Sequence, residues 1–129
     1  MEIRGDELST ALEHSVSAAP SASGGFLQVS GMRFTYDSSK PIGTRVQSVE
    51  VLQDGEYTPL VDTQTYFAAT NIFTAKGGDG YSVFADIYAE GRVSEPGFVD
   101  WEILSDYIQS FPEQTVSPTV EGRITDVAN

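Results

Sequence analysis

Near the start of the chain, apolar residues recur at the spacing of an α-helix. Leu8, Leu12 and Val16 lie four residues apart and would form one buried stripe on a helix. Asp6 precedes them and could cap the first turn, because its carboxylate accepts hydrogen bonds from unpaired backbone N–H groups. Residues 17–25 contain small residues, a proline and paired glycines, so we expect the helix to end there in a loop.

A second helical pattern appears near the end of the chain. Its apolar face comprises Trp101, Leu104, Ile108 and Phe111. Asp100 is placed to cap the start of this helix, and Pro112 disfavours its continuation. We expect Trp101 to be buried in the core of the domain rather than to serve as a ligand platform.

Between these helices, β-branched and aromatic residues follow the alternation of strands. The predicted strands are Phe26–Val29, Met32–Tyr36, Arg45–Gln53, Thr65–Thr70 and Thr119–Ile124, with a strand end at Glu2–Arg4. Asp54 and Gly55 favour a hairpin turn directly after Gln53. Val46 and Val49 would lie on opposite faces, so their strand is predicted either to be buried on both sides or to contain a β-bulge.

Strands and helices are thus interspersed, with a further short helix expected from about Tyr81 to Ala85. The irregular alternation argues against a doubly wound parallel sheet. The pattern predicts an α+β fold, a mixed β-sheet core with helices packed on its outer faces. With 129 residues, the chain is expected to form a single domain over positions 1–129.

Composition narrows the possible functions. Hydrophobic residues make up 40% of the chain, which favours a folded domain, and no apolar run approaches the ~20 residues of a membrane span. The net charge of −12 would repel phosphate backbones, so we expect no nucleic-acid partner. The chain has no cysteine, which excludes disulfides and thiolate metal ligands within it and is consistent with bacterial export.

The segment richest in candidate chemistry is a glycine turn preceded by an aromatic residue. Gly77, Gly78 and Gly80 allow the backbone to approach a ligand or to adopt positive φ. Asp79 offers a carboxylate that could accept from a pair of sugar hydroxyls, and Phe73 offers a flat face that could stack on a base. The alternative interpretation is a surface turn with a core phenylalanine.

Other candidate groups point to no catalytic site within the chain. His14 is the only histidine, and opposite the apolar stripe of its helix we expect it to be a surface or hydrogen-bonding residue. No metal-binding motif is present, and the carboxylates are scattered singly, so we predict neither a catalytic residue nor a metal ligand here. Gly24 and Gly25 could border a ligand pocket, whereas Phe26 is expected to pack in the core.

The glycine turn resembles a signature of the C-terminal domain of the 5'-nucleotidase family, Asn-x-Phe-x-x-x-Gly-Gly-Asp-Gly-Phe/Tyr. The matching residues are Asn71, Phe73, Gly77, Gly78, Asp79, Gly80 and Tyr81. Segments 5–8, 11–16, 25–37, 43–46 and 120–124 are similar to further segments of that domain, in the same order. The family includes UDP-sugar hydrolases, 2',3'-cyclic-nucleotide phosphodiesterases and animal ecto-5'-nucleotidase.

The resemblance implies roles for particular residues. Phe73 would form one side of an aromatic clamp on the base, Asp79 would accept from the ribose hydroxyls, and Gly77 and Gly78 would shape the substrate-binding turn. The second aromatic of the clamp belongs to a Pro-Phe-Gly-Gly segment that this sequence lacks. Asparagine and arginine residues that hold base and phosphate are likewise expected upstream of Met1.

The resemblance also implies a larger enzyme. Met1–Arg4 show no signal-peptide pattern, so we expect an excised C-terminal, substrate-specificity domain. An N-terminal metallophosphoesterase domain with two divalent metal ions would be its partner and would do the chemistry, leaving this fragment inactive alone. The parent enzyme would be exported, to an extracellular, periplasmic or cell-wall location. A UDP-sugar or cyclic-nucleotide substrate, or a non-enzymatic surface-binding module, remains an alternative.

Overall fold

The computed structural model of this chain describes residues 1–128. Within them the strands are β1 (Glu2–Arg4), β2 (Met32–Tyr36), β3 (Val46–Gln53), β4 (Glu56–Pro59), β5 (Thr65–Phe67) and β6 (Ile124–Asp126). The α-helices are α1 (Gly5–Ser15), α2 (Ile72–Ala75), α3 (Ser82–Ala89) and α4 (Asp100–Gln109). Short 3₁₀ turns occupy Gly78–Gly80 and Pro112–Gln114. None of the helices in this part of the chain is long and apolar enough to cross a bilayer.

The strands form one four-stranded and one two-stranded sheet. The larger sheet has the order β4-β3-β2-β6, in which β6 runs parallel to β2 and the other neighbours are antiparallel. The smaller sheet pairs β1 with β5 in antiparallel orientation. The predicted hairpin joins β3 to β4 through Asp54 and Gly55, both at positive φ as a type I′ turn requires. The α+β class with a mixed sheet is therefore confirmed.

A β-bulge in β3 accounts for the irregular valine spacing. Phe34 of β2 pairs with Val49, whereas Tyr36 pairs with Val46, so β3 uses one residue more than β2 over the same distance. Gln47 is the extra residue, and it brings Val46 and Val49 onto the same face of the sheet. The bulge is thus the correct one of the two predicted alternatives.

Helix α1 lies between the two hydrophobic clusters of the domain. Leu12 and Val16 are fully buried and pack with the inner face of the four-stranded sheet, as their spacing predicted. Ala11, one position away on the helix, packs instead with Ile3, Tyr81 and Phe84. Because it contacts both clusters, α1 fixes the sheet relative to the turn.

The start of α1 differs from its prediction. Arg4 is the N-cap, and Asp6 lies inside the first turn, so the predicted Asp6 cap is wrong by two residues. The carboxylate of Glu7 accepts from the Arg4 backbone N–H at 2.8 Å, which is the acidic half of a capping box. Glu7 thus satisfies the N–H of the N-cap residue, while the Asp6 carboxylate accepts from the Glu7 N–H at 3.0 Å, a first-turn bond of the kind predicted for it.

The strand predicted at Phe26–Val29 is absent from the structure. These residues belong to no strand, and the Leu27 N–H donates to the Ser15 hydroxyl oxygen at 2.8 Å. The segment is therefore tied to α1 rather than to a sheet. Two other predicted strands have different bounds, since β5 ends at Phe67 and β6 begins at Ile124.

The prediction that Trp101 lies in the core is wrong. Its side chain is 65% exposed, and no residue of α4 is buried among the described residues. The helix begins one residue earlier than predicted, with Val99 as N-cap and the Asp100 carboxylate accepting from the Trp101 N–H at 2.8 Å. The amphipathic face of α4 exists, but residues 1–128 do not bury it.

Candidate functional site

The candidate site is the glycine turn, defined here as residues 77–81, together with Phe73 on the preceding helix α2. The N-cap of that helix is Asn71, whose side-chain oxygen accepts from the Thr74 N–H at 2.8 Å. In the turn, Gly77 and Gly80 have φ of 90° and 86°, values that side-chain-bearing residues rarely adopt. The signature asparagine and two of the glycines thus serve to fold this segment.

The aromatic ring of Phe73 rests on the backbone of Gly78. A Cβ added at Gly78 would lie 2.4, 2.5 and 2.6 Å from three neighbouring ring carbons. An atom beyond the ring edge would be much closer to one carbon than to the other two, so this position lies over a ring face. Phe73 is nevertheless 60% exposed. One face of the ring is therefore supported by the turn, while the side chain remains accessible to a ligand.

Asp79 follows directly and places its carboxylate on the surface. Its φ is 55°, the left-handed conformation that aspartate tolerates better than most residues. A Cβ added at Gly25 would lie 3.3 Å from the Asp79 Cβ, so the loop before Phe26 passes close beside this side chain. Of the two glycines that could border a ligand pocket, Gly25 therefore lies beside Asp79, whereas a Cβ added at Gly24 would meet nothing within 4 Å.

Two side chains behind the turn connect it to the rest of the domain. His14 of α1 bonds through Nε2 to the backbone carbonyl of Asp79 at 2.8 Å. The Tyr81 hydroxyl donates to the Gly25 carbonyl at 2.5 Å, and its ring meets that of His14 edge-to-face at 4.6 Å. Burial raises the pKa of the Tyr81 phenol, so the hydroxyl remains a protonated donor at neutral pH.

Helix α3 begins directly after the glycine turn and packs against it. It runs over Ser82–Ala89, longer than the predicted Tyr81–Ala85. A Cβ added at Gly77 would lie 2.8 Å from the Ala85 Cβ, so the turn packs closely on this helix. Phe84 stacks on the ring of Tyr81 with a centroid separation of 5.1 Å. The turn is therefore held by helices on two sides.

The structure brings the four predicted substrate-binding residues together. Gly78 lies between the Phe73 ring and Asp79, and Gly77 packs the same turn against α3.

His14 proves to be a hydrogen-bonding residue, one of the two outcomes expected for it. Its connection to Asp79 was missed, because a contact between positions 65 residues apart leaves no local pattern in a single sequence.

No group of three His, Cys, Asp or Glu side chains within residues 1–128 is arranged to hold a metal ion.

A mostly apolar groove of about 630 Å³ lies elsewhere on the surface, between Leu27–Met32 and Thr65–Thr70, and neither Phe73 nor Asp79 lines it. The candidate site is therefore an open surface formed by a stacking ring and a carboxylate.

Comparison with known proteins decides the family. Residues 1–86 match the family model described as "5'-nucleotidase, C-terminal domain". The chain belongs to this family. Within it, the chain is 35% identical over its whole length to the 5'-nucleotidase of Diplobatis ommata, of which it covers 22%. It is also 35% identical over 98% of its length to the trifunctional nucleotide phosphoesterase protein YfkN of Bacillus subtilis, of which it covers 8%.

A solved structure agrees with this assignment. The fold superposes on the crystal structure of a 5'-nucleotidase precursor from Thermus thermophilus with a TM-score of 0.87 and 36% identity. The superposition covers 100% of this chain and 25% of that protein. The family member described here thus spans no more than about a quarter of the length of these three relatives.

Proposed function

We propose that residues 1–129 form the nucleotide-recognising, substrate-specificity domain of a 5'-nucleotidase that hydrolyses nucleotide phosphate esters. The observation that carries this proposal is the placement of an exposed aromatic ring, Phe73 on α2, against the glycine turn that carries the exposed carboxylate of Asp79. Family membership and the names of the relatives support the substrate class.

Phe73 is suited to bind the base. Its ring is supported by Gly78, so little side-chain freedom is lost when a base stacks on it. Stacking accepts any base, because purines and pyrimidines all present a π-face. The contact therefore contributes affinity for nucleotides as a class rather than selectivity among them.

Asp79 is suited to bind the ribose. A carboxylate has two oxygens that can accept from neighbouring hydroxyls, and those hydroxyls distinguish a ribonucleotide from a simple phosphate ester. The side chain is exposed, while the backbone of the same residue is fixed by His14. Gly77 and Gly78 complete the substrate-binding turn. UDP-sugars present the same ribose hydroxyls to Asp79, and they remain alternative substrates of this turn. In 2',3'-cyclic nucleotides both of these oxygens are esterified, so as alternative substrates they would rely on stacking of the base on Phe73.

Bond cleavage is assigned to residues outside this chain. The described residues do not fit the two divalent metal ions that the family implies, because no cluster of ligand side chains is present among them. We place the metal ions in an N-terminal metallophosphoesterase domain of an exported enzyme, which would be the partner of this domain. Positioning of the nucleotide is the contribution of the present residues, and the 129-residue chain alone is expected to release no phosphate from AMP.

The proposal is tested in the full-length enzyme with AMP and p-nitrophenyl phosphate, which lacks base and ribose. Phe73→Ala should lower kcat/KM for AMP about ten- to a hundredfold, the range of one lost stack. Asp79→Ala should lower it for AMP while sparing p-nitrophenyl phosphate. Exposed residues outside the turn provide controls, Phe67→Ala for the aromatic and Asp62→Ala for the carboxylate. Equal losses on both substrates would show that the turn is structural.

A further inference from the structure

We propose that His14 is a positioning residue for nucleotide recognition, which fixes the Asp79 carboxylate by holding the backbone of the same residue. The inference rests on the proposed function of Asp79 and extends it to a residue on another element. The bond joins Nε2 of His14 to the Asp79 carbonyl oxygen over 2.8 Å. Because a carbonyl oxygen can only accept, Nε2 carries the proton.

The imidazole is fixed in place by its surroundings. The Tyr81 ring meets it edge-to-face at 4.6 Å, and a Cβ added at Gly80 would lie 3.0 Å from its Cε1 atom. The backbone of the turn therefore passes close to the Cε1–Nε2 side of the ring, and a side chain at position 80 would require the imidazole to shift. His14 also lies near the end of α1, a helix packed into both hydrophobic clusters. Because the imidazole is held rigidly, its hydrogen bond can keep the Asp79 carbonyl in place.

Asp79 needs such support because of its backbone conformation. Its φ of 55° is unfavourable for a residue with a Cβ, and neighbouring contacts must maintain it. If the Asp79 carbonyl were released, the residue could return to a commoner conformation and its carboxylate would turn away from the ribose. The hydrogen bond from His14 opposes this rearrangement.

Helix α1 also holds the loop that contains Gly25 and passes beside Asp79. The hydroxyl of Ser15, the next residue, accepts from the Leu27 N–H at 2.8 Å, two residues beyond Gly25. Successive residues of α1 therefore secure the Asp79 turn and the loop that passes beside it. Helix α1 therefore sets the distance between the Asp79 turn and the loop that contains Gly25.

The test is made in the full-length enzyme with AMP and p-nitrophenyl phosphate. His14→Phe keeps a flat ring and removes the donor, and His14→Asn leaves an amide too short to reach the carbonyl. Both should raise KM for AMP about three- to tenfold, the effect of one lost hydrogen bond, and change KM for p-nitrophenyl phosphate less than about twofold. His14→Gln, whose amide nitrogen reaches about as far as Nε2, should recover most of the loss.

A double-mutant cycle separates positioning from general stabilisation. In an Asp79→Ala background, His14→Phe should cause no further loss on AMP, because the carboxylate it positions is gone. A loss that persists in this background, an equal loss on both substrates, or unchanged kinetics in both His14 variants would each overturn the proposal. If Asp79→Ala is itself not selective for AMP, the proposed function fails first; if it is selective and His14→Phe is not, only the role of His14 fails.

Discussion

Gly78 and Phe73 are in direct contact through the glycine backbone and one face of the aromatic ring. A side chain at position 78 would occupy the space of the ring, with its Cβ only 2.4 Å from the nearest ring carbon. The φ of Gly78 is not in the left-handed region, so its requirement for glycine is steric rather than conformational. The requirement comes from the Phe73 ring, which is exposed rather than part of the core. Folding itself therefore does not require glycine at position 78.

We therefore expect Gly78→Ala to impair recognition more than folding. The added methyl should displace the Phe73 ring into solvent, so kcat/KM for AMP should fall about as far as in Phe73→Ala, roughly ten- to a hundredfold. The free energy of unfolding should change by less than about 1 kcal/mol, because an exposed ring can move without opening the core. Gly24→Ala is the control, since a Cβ there meets nothing within 4 Å. Loss of folding in Gly78→Ala would contradict this interpretation.

Gly5 provides the opposite case, a buried glycine required by close packing against the backbone of a neighbouring loop. A Cβ at this position would lie 2.2 Å from the Val61 carbonyl oxygen and 2.9 Å from the Asp62 Cα. These are backbone atoms, anchored by the bonds from Gly5 N–H to Gln64 and from Asp6 N–H to Asp62. We expect Gly5→Ala to lower the free energy of unfolding by roughly 2–4 kcal/mol, measured by urea denaturation, against no more than about 0.5 kcal/mol for Gly24→Ala. Similar stability of both variants would show that the α1 start can shift.

The extent to which the fold could be predicted depends on how local each signal is. The Asp54-Gly55 hairpin and the bulge in β3 follow from residues next to one another in the chain, and both are observed. The Phe26–Val29 strand was predicted wrongly because Leu27 bonds to the Ser15 side chain, a contact that alternation does not encode. Family resemblance identified the turn around Asp79, but not the distant histidine that holds it.

The amphipathic pattern of α4 shows a second limit of local signals. The pattern correctly predicts a helix with one apolar face, and α4 is observed over Asp100–Gln109. The pattern indicates that this apolar face is suited to packing. It does not indicate whether the surface that would cover the face belongs to the same residues. The pattern alone could not distinguish the observed exposure of Trp101 from burial.

The ion pair between Glu7 and Arg92 should make stability depend on pH. Two guanidinium nitrogens donate to the two carboxylate oxygens at 2.9 and 2.5 Å, and both side chains are partly buried. Hydrogen bonding from Arg92 lowers the pKa of the Glu7 carboxyl below its ordinary value. The stabilisation is therefore complete above the unfolded-state pKa of about 4.3, and is lost as pH falls through the lower folded-state pKa.

Glu7→Gln should accordingly destabilise the domain by about 1–2 kcal/mol at pH 7, with the difference from the unsubstituted chain shrinking toward zero below about pH 4. Comparing the two proteins at each pH removes the general effect of titrating a chain with net charge −12. Glu56→Gln, an exposed glutamate on β4, serves as the matched control and should show no such trend. A constant difference between Glu7→Gln and the unsubstituted chain at all pH values would exclude the ion pair as its cause.

Trp101 reports directly on the exposure of α4, because it is the only tryptophan. In the 129-residue chain we expect its fluorescence to be that of a water-exposed indole, quenched readily by acrylamide and shifted little when guanidinium unfolds the protein. The physical reason is that its side chain is 65% exposed and its helix has no buried residue among those described. A control chain carrying Trp101→Phe with Phe34→Trp moves the indole to a position 2% exposed, where unfolding should produce a large red shift. A blue-shifted, quencher-resistant emission from Trp101 itself would mean that α4 packs its apolar face in solution.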